Sequence, residues 1–134
     1  MARVLPKETA QYACEITSFS SASDQTDFIE VGEYGEVIAH VWCDTAGKFA
    51  GSIEMFGSND EAGNGAVRIG PAEYVPAGMD ITVSGDTRID MECSGSSGPC
   101  SVVLAYRLLP RFVQFQFGAS AGTSGFYRVV LLGR

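Results

Sequence analysis

Polar and apolar residues alternate along most of this chain with a period of two. In Arg88-Ile89-Asp90-Met91-Glu92-Cys93 the alternation is strict: Ile89, Met91 and Cys93 share one face and three charges the other, which predicts a half-buried strand. Val102, Leu104, Tyr106 and Leu108 repeat the pattern after a Ser/Gly stretch, and the two segments together predict an antiparallel hairpin. Val113, Phe115 and Phe117 alternate with Gln114 and Gln116, and a Gly/Ser/Ala stretch then leads into 126–132, so a second hairpin is expected over 111–132. Upstream, 12–17, 28–31, 37–43, 52–56, 66–69 and 81–83 are short, rich in β-branched or aromatic residues, and bounded by Gly, Ser, Asn, Asp or Pro. About ten short strands at such spacing predict an all-β fold, an antiparallel β-sandwich or jelly roll. Residues 1–13 are expected as an extended amino-terminal arm, since the weak helical pattern over 6–13 is too short to stand in water; 14–134 is then a single domain.

Composition narrows the function without naming it. The 134 residues suit one domain, 46% hydrophobic content supports a core, and a net charge of −7 repels phosphate backbones and anionic lipid, so neither nucleic acid nor a membrane is an expected partner. No window approaches the roughly 18 consecutive apolar residues of a membrane helix, and residues 1–8 lack the apolar stretch of a secretory signal, which predicts synthesis in the cytoplasm. Charge is uneven. All 16 acids stand at or before Glu92 with five bases, leaving −11 there, while the remainder carries only Arg107, Arg111, Arg128 and Arg134. Pairing of these arginines with carboxylates of the first part is the simpler expectation; an acidic face opposed to a basic one is the alternative.

Candidate chemistry is thin. Gly118-Ala119-Ser120-Ala121-Gly122 fits the nucleophile-elbow pattern G-x-S-x-G, but no acid follows residue 92 and His40, the sole histidine, lies upstream, so it reads as a turn and no catalytic residue is expected. His40 shares a strand face with Ile38 and Trp42; it reads as a sheet-surface or contact residue, and Trp42 as core or an interface anchor. Ser58-Asn59-Asp60-Glu61-Ala62-Gly63-Asn64-Gly65 is rich in oxygen ligands but lacks the calcium-loop glutamate, Pro71 standing in its place, so no metal or cofactor is expected. Cys14, Cys43, Cys93 and Cys100 form no C-x-x-C pair. A Cys93–Cys100 disulfide across the tip of the first hairpin stands beside the reading of two buried thiols, with a Cys14–Cys43 bridge as a lesser option.

The central segment carries a resemblance. Val37 to Asp44 as a strand, then Gly47-Lys48-Phe49-Ala50-Gly51-Ser52-Ile53-Glu54-Met55-Phe56-Gly57-Ser58-Asn59-Asp60, Tyr74-Val75-Pro76-Ala77-Gly78, and Gly98-Pro99-Cys100-Ser101-Val102-Val103-Leu104-Ala105 resemble small β-sandwich virion structural proteins of tailed bacteriophages, over roughly residues 28–107. The resemblance implies a capsid decoration or cement subunit in the virion, a homo-oligomer with a trimer favoured, whose partners are copies of itself and the major capsid protein. Phe112, Phe126, Val130 and Leu132 lie opposite Val113, Phe115, Phe117, Tyr127, Val129 and Leu131, so the last hairpin is apolar on both faces and expected to be covered by another subunit. Val4, Leu5, Trp42, Phe112, Phe126, Val130 and Leu132 are the expected interface residues. The alternative is a carbohydrate- or receptor-binding module of a phage fibre or tail, with Trp42, Tyr34 or Tyr74 as stacking platforms.

Overall fold

The segments that alternate are strands. A computed structural model describes the backbone of residues 3–4, 10–15, 22–43, 49–93, 100–119 and 126–134, with side chains over 25–42, 50–93, 100–118 and 131–134. These form β1 (Arg3–Val4), β2 (Ala10–Glu15), β3 (Ala22–Gln25), β4 (Ile29–Glu30), β5 (Val37–Cys43), β6 (Phe49–Ser58) and β7 (Val67–Ile69). They continue as β8 (Glu73–Ala77), β9 (Asp80–Ser84), β10 (Arg88–Cys93), β11 (Cys100–Tyr106), β12 (Phe112–Ala119) and β13 (Phe126–Gly133). No helix occurs among the described residues. The protein is an all-β sandwich.

One sheet has eight strands in the order β1-β4-β12-β6-β10-β9, with β3 also pairing β12 and β7 also pairing β6; the other has five, β2-β13-β5-β11-β8. Every strand pairing is antiparallel except the two residues of β1 on β4. Their inward faces share one core. Val37, Ala39, Val41, Val102, Leu104, Tyr106 and Leu131 from the five-stranded sheet meet Ile53, Met55, Ile89, Met91, Val113, Phe115 and Phe117 from the other. The Tyr106 ring stands edge-on to Phe115, centroids 5.5 Å apart at 82°, an arrangement that suits the charge distribution of the two rings.

Both hairpins expected from the alternation are corrected by the topology. β10 lies in the eight-stranded sheet and β11 in the five-stranded one, and the same holds for β12 and β13. Each pair of neighbouring segments therefore faces across the core instead of hydrogen-bonding. β12 is flanked by β6 on one side and by β3 and β4 on the other, and β13 by β2 and β5. β12 and β13 are interior strands of two sheets in their own chain, so both edges of each are paired within it.

The described parts of the expected amino-terminal arm are also paired within the chain. Arg3 and Val4 pair with Ile29 and Glu30, and Ala10 to Ala13 lie in β2 along β13. The hairpin of β9 and β10 turns through Gly85 and Asp86, both at φ 62°, the double left-handed geometry whose twist matches antiparallel strands. Between β3 and β4, Thr26 carries the ladder: its N–H donates to the Phe115 carbonyl at 2.9 Å, and its hydroxyl accepts the Phe115 N–H at 3.0 Å.

Cys93 and Cys100 form a disulfide with Cα atoms 6.6 Å apart. Because β10 and β11 belong to different sheets, the bond staples the sandwich across its seam. A Cys14–Cys43 bridge does not fit the register. β13 runs between β2 and β5, and two interstrand steps of about 4.8 Å exceed the roughly 7 Å that a disulfide tolerates.

Candidate functional site

The two outward faces of the sandwich differ in character. On the eight-stranded sheet, the register lines up Gln116 with Glu54, Ser52 with Asp90, Asp90 with Thr82, and Glu92 with Asp80, an ordinary solvated surface. Among the described side chains, the outward face of the five-stranded sheet carries an apolar run across β5, β11 and β8. His40 of β5 lies opposite Val103 of β11, which lies opposite Val75 of the edge strand β8. One step along β5, Ile38 is opposite Ala105 and Leu132; one step the other way, Trp42 is opposite Ser101 and Arg128. Val75 is 65% exposed and Val103 36%, while Ile38, Trp42 and Leu132 are half-buried. The His40 and Trp42 rings sit 4.9 Å apart, tilted at 40°. Pro76 in β8 leaves one edge position without a donor, which an edge strand tolerates and which discourages another strand from pairing there. An antiparallel sheet facing water ordinarily carries polar residues on that side; here valine, isoleucine, leucine and tryptophan take those places.

Charges collect at the end of the sandwich where the chain terminates. Glu36 accepts from Arg107 Nε and Arg134 Nε, both at 2.8 Å, and Arg107 also bonds Glu73. Arg134 N–H donates to the Glu36 carbonyl, and the Arg134 carbonyl accepts from Gly35 and Glu36. The hydrogen bond from Arg134 holds the Glu36 carboxyl below its usual value against the opposing effect of desolvation, and the Arg107 bond adds to it. Arg111 pairs with Glu30 at 3.3 Å. Three of the four carboxyl-terminal arginines thus meet carboxylates of the acidic part, the simpler of the two expectations; the Arg128 side chain lies outside the described residues.

The expected interface residues do not fall together. Phe112 is 3% exposed with the Arg111 guanidinium 5.2 Å over its ring, so it is interior and not a contact residue. Trp42 and Leu132 do lie on the apolar outward face, on neighbouring strands β5 and β13. Val4, Phe126 and Val130 have described backbone in β1 and β13 but side chains outside the described residues, and Leu5 lies outside them altogether. Ile38, on the strand face of His40 and Trp42 as expected, and Val75 and Val103, which the sequence pattern does not single out, complete the face. The signal was present: in Val102-Val103-Leu104-Ala105-Tyr106 apolar residues occupy both alternation classes. The aromatic trio of the carbohydrate alternative is scattered. Tyr34 packs on the core beside Gly133 at one end of β5, Trp42 stands at the other, and Tyr74 lies on the edge strand.

The chemical candidates resolve in the same way. His40 is exposed on the apolar face, and Ser120 lies outside the described residues. No group of three or more His, Cys, Asp or Glu placed to hold a metal occurs among the described residues. In the oxygen-rich loop, Asp60 Oδ2 accepts the Ala62 and Asn64 N–H groups at 3.1 Å, and the Ser58 hydroxyl donates to the Asn64 carbonyl at 2.7 Å. Asn59 Oδ1 accepts the Arg111 N–H at 2.9 Å. These oxygens hold a turn together, as Asx side chains commonly do. No protein-family model matches the chain, and no curated protein shows significant similarity to it.

Proposed function

We propose that the protein is a non-enzymatic virion structural subunit, a decoration or cement protein that meets neighbouring subunits through the outward face of its five-stranded sheet. The observation that carries this reading is the run Ile38, Trp42, Val103, Val75 and Leu132 around His40 on that face. The strand order supports a jelly-roll reading: β2-β13-β5-β11 opposes β4-β12-β6-β10, with successive strands passing from sheet to sheet as in two interlocked Greek keys. The proposed homo-oligomer and its contact to the major capsid protein rest on the sequence resemblance together with this face. Burying the face only in the assembled lattice would lower the free energy of the shell relative to dissociated subunits.

Trp42, the single tryptophan, reports on the face directly. Its emission should shift to shorter wavelength as protein concentration rises, and Val75→Glu should abolish the shift while leaving circular dichroism unchanged. Emission that is independent of concentration and identical in the variant would remove the reading. Association of the chain with purified particles, measured by mass spectrometry of their proteins, tests the virion assignment separately.

A further inference from the structure

The fold gathers all four cysteines at one end of the sandwich. Cys14 of β2 is opposite Tyr127 of β13, next along from the Arg128–Trp42 pair that joins β13 to β5; Cys43 of β5 is directly opposite Cys100 of β11; and Cys100 is bonded to Cys93 of β10. Directly opposed residues of antiparallel strands have Cα atoms about 4.5–5.5 Å apart, inside the span that a disulfide bridges. The backbone therefore offers Cys100 two bonding partners, Cys93 across the seam between the sheets and Cys43 within its own sheet. Cys14, two strands from Cys43, is out of reach of it.

We propose that Cys43 is an exchange partner for the Cys93–Cys100 disulfide, so that the covalent link can pass from between the two sheets to between β5 and β11. In the step, Cys43 loses its proton to solvent and its thiolate attacks Sγ of Cys100. The new Cys43–Cys100 bond forms as the Cys93–Cys100 bond breaks, and the electron pair leaves on Cys93 Sγ, which takes up a proton. Two electrons stay in one disulfide throughout, so no oxidant or reductant is consumed. The product keeps β5 and β11 joined along their existing register and frees the end of β10, unfastening the sandwich at this seam. The exchanged bond also closes a much longer loop, which constrains the unfolded chain more. The inference stands independently of the virion reading.

The test is disulfide mapping of the folded, unreduced protein after incubation at increasing pH, quenched with acid and with free thiols then alkylated by N-ethylmaleimide. The expected result is a Cys43–Cys100 peptide beside Cys93–Cys100, approached faster as pH rises, with alkylated Cys93 appearing in equal amount. Cys43→Ser should retain Cys93–Cys100 alone. A second variant, Cys93→Ser, oxidised with glutathione disulfide while folded, should form Cys43–Cys100. Cys93–Cys100 as the sole bridge of the wild type at every pH, or a Cys93→Ser protein that stays folded with Cys100 free or glutathione-capped, would overturn the proposal.

Discussion

Replacing Tyr106 by Phe should stabilise the protein. Tyr106 is fully buried between the sheets, and its hydroxyl has no hydrogen-bond partner among the described residues. An unmet buried hydroxyl costs about 1–3 kcal/mol in lost hydration. Deleting the oxygen leaves a void on the order of 10 Å³, worth about 0.2 kcal/mol at the cost measured per unit cavity volume, and the edge-on contact with Phe115 is retained. The net gain is about 1–3 kcal/mol, which for a chain of this length raises Tm by about 4–10 °C. Alkaline pH offers a second reading. Burial, helped by the nearby Glu54 charge, pushes the Tyr106 hydroxyl well above its ordinary ionisation range. The unfolded chain then releases this proton at lower pH than the folded one, so the wild type loses stability as pH rises beyond about 10, by up to about 1.4 kcal/mol per pH unit. Tyr106→Phe lacks this loss, and its advantage should widen there. Urea unfolding at neutral and alkaline pH measures both effects. A destabilised variant would show that the hydroxyl is bonded in the native state and would refute the reasoning.

Glu36→Gln should loosen the carboxyl-terminal clasp to Arg107 and Arg134. Because the folded Glu36 carboxyl is held below its usual value, its contribution is present above the ordinary carboxylate range and is lost as pH falls through the folded value; thermal scans should show a shallower acid limb in the variant. Thr26→Val should cost about 1–3 kcal/mol by leaving the Phe115 N–H without its acceptor, seen as a lower urea midpoint and faster exchange of that amide, with Thr26→Ser close to wild type. Gly70→Ala should cost about 1–3 kcal/mol in urea unfolding, because a Cβ there overlaps the carbonyl oxygen of Asp86.

Alternation revealed strands and faces well but not partners. Val37–Cys43 and Arg88–Cys93 are strands with the bounds the pattern predicts, and Ile89, Met91 and Cys93 face the core as expected. Partner choice is a different matter, since a period of two says which side of a strand is buried and nothing about which sheet it joins. The connections over 94–99 and 120–125 are long enough either to close a hairpin or to cross to the opposite sheet, and β10–β11 and β12–β13 cross. β3 was missed because Ala22-Ser23-Asp24-Gln25 carries no apolar repeat; it is held by backbone pairing to β12. The apolar outward face was legible only as doubly apolar segments. Even an interior strand presents one face outward, as β11 does with Val103, and alternation alone does not say whether that face is covered. The cysteine row was illegible for the same reason, because Cys43 and Cys100 meet only through the β5–β11 register.

The central claim is that the outward face of the five-stranded sheet is a contact between subunits, and the most direct test is the mass of the native protein in solution beside that of Val103→Glu. Sedimentation equilibrium should give a multiple of 14.2 kDa for the wild type and the single-chain mass for the folded variant. A wild type that sediments as one chain at every concentration, or a variant that assembles as the wild type does, would contradict the account.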